Sequence, residues 1–508
     1  MSYLEILRTA APETVIVLTA LAVLAADLMA LHELEIRFRL LIGAMISCAG
    51  CLIAIGWMLV LPQHADLSGM LVVGPVTQLV KVALLLQVLF TILLSIESDF
   101  TTHSGEYFAL ILLAAAGMMF LISAQDILMI FISLELTSLS LYILTAFNKR
   151  NVKSGEAALK YFLFGGMTAA FTLFGLSWLY GITGSTNLVE IAQGVAEKGV
   201  QMVHHSDGTV TRSLDPLVVG AIVMTVIGFG FKVAAVPFHL WAPDAYEGAP
   251  TPSAALIASG SKLASFFIFA KVMMIGFRGV EGVATWGEYL PGWVPVLAVI
   301  SAASMVLGNL AAIVQRSVRR LLAYSAIAHG GYMLLAVMAH HGDSLNALIY
   351  YAVTYGFTVV GAFGVVSLVQ QQIGSDELEA FTGLSRRAPL LSFCMMIFML
   401  SLAGIPPLAG FFGKFFVFAS VLGAGPQSLG PLWLVALALA MSAVSLYYYL
   451  QVLKRIYVGE QEPSAQGQAF PVLTQVVLVV LAIIVVLLGC APGLLVGPLT
   501  NAIRVAGL

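Results

Sequence analysis

LVVGAIVMTVIGFGFKVAAVPFHLWAPDAYE, residues 217–247, is apolar over a length too great for one ordinary membrane crossing, and Pro237 interrupts it five residues after Lys232. A crossing needs roughly 20 mainly apolar residues. Proline removes a backbone donor and clashes with the preceding turn. In lipid, such a break is tolerated only where protein or water covers the freed carbonyls. A lysine beside the break meets both. The same grammar recurs in LSLAGIPPLAGFFGKF, residues 400–415, where Pro406 and Pro407 precede Lys414 inside the long apolar segment 388–422. The chain therefore reads as an all-α polytopic membrane protein with two broken helices.

Outward from these breaks, hydropathy predicts about 14 transmembrane helices between residues 12 and 492. Lys232 and Lys414 are 182 residues apart, and five spans recur from 106 and again from 293. An odd number of spans per repeat forces inverted topology, as in many transporters. The expected organisation is helices 1–3 in 1–105, a first repeat (helices 4–8) in 106–292, a second (helices 9–13) in 293–457, and a C-terminal helix in 458–508. Composition agrees: 60% of the 508 residues are hydrophobic and 10% charged, with mean hydropathy +0.99. Soluble domains carry about 25% charged residues. A soluble enzyme, a nucleic-acid binder and a disordered regulator are excluded. A net charge of −3 leaves no polybasic footprint.

Loop charge orients the chain. Loops after odd-numbered spans hold twelve basic residues, among them Arg37, Arg39, Lys149, Arg150, Lys153, Arg316, Arg319, Arg320, Arg386 and Arg387, against five on the other side. The richer side is expected to be cytoplasmic and both termini outer (periplasmic), in a cell inner membrane. The long loop 181–216 reads as a solvated excursion, with His204 and His205 in it. His340 and His341 likewise read as solvated.

A charge at a helix centre costs about 2.5–3.5 kcal/mol on the gentler scale, so the five expected here, left unpaired, would cost roughly 12–17 kcal/mol. They are Glu135, Lys160, Lys232, Lys262 and Lys414. They must pair, line water or lose charge. Lys160 has a plainer alternative, pairing with Glu156 one turn earlier. Lys81 and Lys271, nearer span ends, read as snorkelling anchors. Asp126 is expected to close a capping box with Ser123, and Asp27 to sit near an interface. His329 lies mid-span, and His239 follows the first break. Imidazole can relay protons at cellular pH. A desolvated lysine beside another cation loses its proton readily. The residues thus predict an intramembrane proton or cation path: Glu135, Lys160, Lys232, Lys262, His329, Lys414, with His239, Pro237, Pro406 and Pro407 in support. A carboxylate beside Lys232 would hold it charged, and separation would release its proton.

Cofactor signals are missing. GFGFKV lacks the third glycine of a dinucleotide fingerprint, and GFFGKF is no phosphate loop. Cys48, Cys51, Cys394 and Cys490 read as small apolar residues rather than cluster or metal ligands.

LELTSLSLYIL, EAALKYFLFGG, FKVAAVPFHLWAPDAYEGAPTPSAALIASGSK, NLAAIVQRSVRRLLAYSAIAHGGY and LSLAGIPPLAGFFGKF resemble the antiporter-like subunits of proton-translocating NADH:quinone oxidoreductase, respiratory complex I. The N-type subunits are matched over essentially the whole chain. The resemblance implies fourteen helices in two inverted five-helix repeats, with functional residues at Glu135, Lys160, Lys232, Lys262 and Lys414 and with His239 and His329 nearby. It implies neighbours, the antiporter-like subunit M and the small subunit K, in a lipid bilayer and without nucleic acid. It places NADH, FMN, iron–sulfur clusters and quinone in partner subunits. The L type carries a long lateral helix, for which the short C-terminal remainder leaves no room. The M type usually has Glu at the position of Lys414. A multisubunit cation/proton antiporter is the alternative that the residues leave open.

Overall fold

The computed structural model describes residues 7–60, 65–67, 69–97, 99–204, 210–285, 288–423, 431–459 and 470–506. Helices start where a side chain accepts an amide of the first turn, which would otherwise be orphaned. Asp126, Asn151, Asn187, Asp215 and Ser317 all do so. In chain order, α1 (Ala11–Ala26) passes through a widened turn, Asp27–Leu31, to α2 (Ile36–Val60). A hairpin of β1 (Ala65–Leu67) and β2 (Leu71–Val73) leads to α3 (Pro75–Ser95), α4 (Ser104–Ser123), α5 (Ile127–Thr145) and α6 (Val152–Thr183). Then come α7 (Leu188–Lys198), the hairpin β3 (Val200–His204) and β4 (Val210–Leu214), α8 (Pro216–Lys232) and α9 (Trp241–Gly248). Next are α10 (Thr251–Ala258), α11 (Gly260–Lys271) with a wide turn Val272–Gly276, and the hairpin β5 (Val283–Thr285) and β6 (Glu288–Leu290). α12 (Trp293–Ile313), α13 (Val318–Ala339) and α14 (Gly342–Ile373) follow. The chain closes with α15 (Leu384–Arg387), α16 (Pro389–Ala403), α17 (Ala409–Leu422), α18 (Leu432–Val458), α19 (Val472–Cys490) and α20 (Gly493–Ala506).

Among the described residues, twelve helical stretches are long and apolar enough to cross a membrane, and α8, α16 and α17 are shorter apolar helices. The two long segments are interrupted where proline predicts, between Lys232 and Trp241 and between Ala403 and Ala409. A third interruption escaped the sequence reading: residues 251–277 divide at Ser259 (φ −112°, ψ −85°). α10, α11, α13 and α14 are buried along nearly their whole spanning lengths, whereas α1, α6 and α18 leave most of theirs uncovered. Charges can therefore be held in the middle of the bundle, away from lipid.

The connections gather on two opposite faces. On one, ion pairs join Asp27 to Arg39, Lys153 to Glu247, Arg320 to Asp244 and Glu247, and Arg319 to Asp376. On the other, hairpins and loops share backbone bonds. The Gln125 amide donates to the Met70 carbonyl, the Leu188 amide to Gln125, and the Asn187 side chain to Gly69.

Several sequence expectations change. The 181–216 segment is ordered by α7 and the β3–β4 hairpin; His204 ends β3 and His205 lies outside the described residues. Asp27 is buried, holding Arg39 in two hydrogen bonds and accepting from Ser104 Oγ and the Gly105 amide. Asp126 caps α5 directly through Leu128 and Met129, and Ser123 takes no part. His340 is exposed just past α13, with a left-handed backbone (φ 42°), whereas His341 is half-buried and caps α14. An amphipathic helix, α20, follows the last apolar span, burying Leu499, Ala502 and Ile503.

Candidate functional site

Lys232 is the last residue of α8. Beyond it several of the freed backbone groups find partners: Ala235 N–H donates to Gly230, Val236 N–H to Ser304 Oγ at 2.9 Å, and Trp241 Nε1 to the Phe231 carbonyl at 3.0 Å. The break is thus clamped by α12 and by its own tryptophan, not left to solvent. Lys232 Nζ donates to Ser138 Oγ at 2.5 Å and lies over the rings of Phe231 and Tyr142. Glu135 sits one turn earlier on α5, partly buried. Among the described residues it makes no ion pair, so the expected Glu135–Lys232 contact is replaced by a hydroxyl between α5 and α8.

Lys262 is the third residue of α11, just past the Ser259 interruption. It is 2% exposed, and its amine donates to the Ala326 carbonyl of α13. Gly330 of α13 lies beside both: a Cβ there would stand at ordinary contact distance, 3.4 Å from the Val233 carbonyl and 3.8 Å from Lys262 Nζ. The first break and Lys262 therefore meet on one face of α13, at Gly330.

His329 is buried with both ring nitrogens engaged, Nδ1 with Tyr351 Oη at 2.7 Å and Nε2 with Tyr449 Oη at 3.1 Å. Tyr449 in turn meets Ser325 Oγ. Two further rings flank the imidazole. Tyr355 lies 5.0 Å from it and 5.7 Å from Lys262 Nζ; Tyr332 lies 5.8 Å from it and 5.3 Å from Lys414 Nζ. Lys262, Tyr355, His329, Tyr332 and Lys414 form a buried run of amine and ring contacts, in which Tyr355 Oη has no hydrogen-bond partner among the described residues. The tyrosines were not singled out by sequence, because a tyrosine inside an apolar helix looks like any core aromatic. Their signal was the spacing in YYAVTY, which puts Tyr351 and Tyr355 on one helical face.

Lys414 is 4% exposed and spans the second break, donating to the Ala403 carbonyl at 2.9 Å and to Ser442 Oγ at 2.8 Å. Ala403 ends α16, so its carbonyl is one the break frees. Gly404 turns the chain with φ 87°, and Gly410 passes so close that a Cβ would fall 1.9 Å from the Ser401 carbonyl.

Other predicted residues lie apart. Lys160 Nζ holds Glu156 and Asp244, each at 2.7 Å, and its side chain is 40% exposed, so it belongs to the ion-paired face rather than the buried run. Asp244 and Glu247 of α9 bind Lys153, Lys160 and Arg320, tying the second half of the broken span to α6 and α13. Sequence reasoning passed over both carboxylates. Their clue was an acidic pair at helical spacing opposite the basic QRSVRR stretch. On the same face, burial would raise the Asp376 carboxyl, but the Arg319 charge and hydrogen bonds from Ser317 and Arg319 hold it below its ordinary value. His239 Nδ1 is buried without a partner among the described residues, and its ring is not part of the run. Pro237, Pro406 and Pro407 sit in the breaks themselves.

Lys81 and Lys271 do not snorkel. Lys81 is 1% exposed and paired with Glu13 of α1, while Lys271 donates to the Ala124 carbonyl at 2.6 Å. Glu13 carried no sequence signal beyond its nearness to the chain start. No group of three His, Cys, Asp or Glu among the described residues is arranged to hold a metal ion.

Residues 124–443 match the family model described as NADH:quinone oxidoreductase/Mrp antiporter, TM. A curated relative, NADH-quinone oxidoreductase subunit N 2 of Acidobacterium capsulatum, is 49% identical over 97% of this chain and 98% of its own. Among solved structures, a chain of respiratory complex I from Thermus thermophilus is 33% identical with a TM-score of 0.74, covering 96% of this chain and 98% of that one. A chain of the Mrp complex from Dietzia sp., 19% identical with a TM-score of 0.77 and coverage of 98% and 97%, shares the fold.

Proposed function

The chain belongs to the NADH:quinone oxidoreductase/Mrp antiporter family of membrane proteins, and on that premise we propose that it is the N-type subunit that translocates protons for an NADH-quinone oxidoreductase. It is a multi-pass membrane subunit of a multisubunit complex. It couples electron transfer from NADH to quinone, carried out elsewhere in the complex, to proton movement through its own buried charges. The observation that carries this reading is the run Lys262–Tyr355–His329–Tyr332–Lys414, which crosses the best-buried helices without reaching lipid.

Each amine in the run is costly to keep charged, and each opposes charge on the next. A proton entering at Lys232 therefore destabilises one on Lys262, and so onward. His329, held between two hydroxyls, can accept a proton on one nitrogen and pass one from the other. Glu135 acts on Lys232 through space across Ser138. Approach of the carboxylate holds the ammonium; withdrawal releases its proton. Lys414, joined to a carbonyl at the second break, is the exit element.

In this reading, fourteen crossings result when α8–α9 and α16–α17 each count as one, and 106–292 and 293–457 are inverted repeats. Subunits M and K flank the chain in the inner membrane, and FMN, iron–sulfur clusters and quinone lie in other subunits. The ion-paired face is cytoplasmic and both termini are outer. Single cysteines at Lys149–Lys153 and Arg316–Arg320, in a cysteine-free background, then resist impermeant thiol reagents added outside, while cysteines in 184–198 are labelled. The reverse pattern inverts the path. The functional test is Lys262→Met in the assembled complex, with NADH-driven pumping read in membrane vesicles. Loss of pumping at normal assembly is expected; wild-type pumping ends the proposal.

A further inference from the structure

We propose that Glu13, Lys81 and Lys271 form a second proton-holding site, on the hairpin-bearing face, through which the chain exchanges protons with that side independently of Lys414. The inference rests on the reading of Lys262 as a proton carrier, since Lys262 and Lys271 share α11. They are nine residues apart on it, about 13.5 Å along the axis.

The site is built from three helices that the main run does not use as carriers at this level. Glu13 comes from α1, Lys81 from α3 and Lys271 from the end of α11. Glu13 and Lys81 are 2% and 1% exposed and directly paired. Lys271 reaches the Ala124 carbonyl and feels the charges of both Lys81 and Asp66. Ala124 bridges Leu71 of β2, and Val73 of the same strand lines a cavity with Lys81, so the Lys271 amine and the Glu13–Lys81 pair are joined through β2. A buried ion pair is weak evidence for stability, because apolar residues of similar volume often do as well. Inside a membrane, an ionisable residue marks function by default.

The unfilled hydrogen bonds point the same way. Among the described residues, Glu13 Oε2, Trp57 Nε1 and Ser123 Oγ are buried and without partners. Ser123 precedes the carbonyl that Lys271 holds. Trp57 and Lys81 line a cavity of about 10 Å³ together with Thr9 and Gln78, which is room for roughly one water with two to four polar partners. Thr9 and Gln78 are themselves partly exposed, so the cavity lies next to the surface. The step is proton transfer alone. An N–H bond of one ammonium breaks, an O–H bond to water in the cavity forms, and that water passes a proton to the aqueous side. Repulsion between Lys81 and Lys271 drives the departure whenever both are charged.

The test uses the assembled complex in membrane vesicles with NADH as donor, reading protons moved per NADH alongside uncoupled NADH:quinone turnover. Lys81→Arg keeps the ion pair but holds its proton, since Arg stays protonated at any cellular pH. The expected result is normal assembly and uncoupled turnover with fewer protons per NADH, a smaller deficit than that of Lys262→Met. A purely structural pair predicts the wild-type ratio in Lys81→Arg, and that result overturns the site. The double variant Glu13→Gln/Lys81→Gln, neutral and nearly isosteric, should show the same deficit in whatever complex assembles; an unchanged ratio there also overturns it. Loss of pumping in Lys262→Met with an unaltered Lys81→Arg ratio rejects this site alone. Unaltered pumping in both rejects the path with it.

Discussion

The two broken spans are written in similar sequence yet hold their lysines differently. Lys232 ends the half-helix before its break, is only partly buried, and rests on one hydroxyl, Ser138 Oγ. Lys414 lies in the half-helix after its break, is almost wholly buried, and reaches back to the carbonyl that the break frees at Ala403. At the first break the backbone is satisfied by Ser304 and Trp241 without the lysine's help. At the second, the lysine is itself part of the satisfaction. Proline thus creates the same need twice, and tertiary neighbours decide whether the amine beside the break also carries structural duty. The first amine is free to respond to a neighbouring charge; the second is held in place.

Removing both amines probes this difference most strongly. Lys232→Ala should lower coupled quinone reduction and pumping tenfold or more, roughly 1.4 kcal/mol of barrier, at normal assembly. Lys414→Ala should lower both and also reduce the amount of assembled complex, because the buried Ala403 carbonyl loses a donor at a cost of about 1–3 kcal/mol. Equal assembly in the two variants would erase the contrast.

A charge-retaining change separates the two duties of Lys414. Lys414→Arg should preserve assembly yet slow pumping several-fold, since guanidinium keeps its proton. Lys414→Glu should pump better than Lys414→Arg, but it must carry a proton to donate to Ala403, so its assembly should fall as pH rises. Pumping rate and stoichiometry in both variants check this. If Arg works as well as Lys, Lys414 is a fixed charge and the exit lies elsewhere.

Glu135 sharpens the first break. Glu135→Ala should strongly impair pumping with the complex intact, and Glu135→Asp less, because the carboxylate acts across Ser138 rather than by contact. Wild-type pumping in Glu135→Ala would remove the switch. Smaller still, Ser138→Ala should cost more pumping than Ser442→Ala, each acting through about 1 kcal/mol of hydrogen bond. Lys414 keeps Ala403 when Ser442 is lost, whereas Lys232 keeps no other hydrogen bond among the described residues.

Asp376, which binds Ser317 and Arg319 and hydrogen-bonds neither break lysine, is the control. Its folded carboxyl is held below the ordinary value, so the stability it contributes is present above the unfolded carboxylate pKa, near 4, and is lost as pH falls through the lower folded value. Asp376→Asn should flatten that acid limb in a thermal-stability profile while leaving protons per NADH unchanged.

The lipid environment, the two proline breaks, the buried lysines and His329 were legible because each violates what a membrane span otherwise requires: continuous apolar residues and continuous backbone bonds. A violation shows in one dimension. What it pairs with does not. The Ser259 interruption has no proline to announce it. The tyrosines linking Lys262, His329 and Lys414 look like ordinary core. Lys160 reads as intramembrane, yet stands at a surface where Asp244, 84 residues on, comes to meet it. Lys81 reads as a snorkelling anchor because its partner, Glu13, is 68 residues away. Local pattern thus determined where charge enters the membrane-spanning helices. Only the packing of α10, α11, α13 and α14 in the centre decided which charges are desolvated, because desolvation and pairing depend on neighbours that the chain brings together from far along its length.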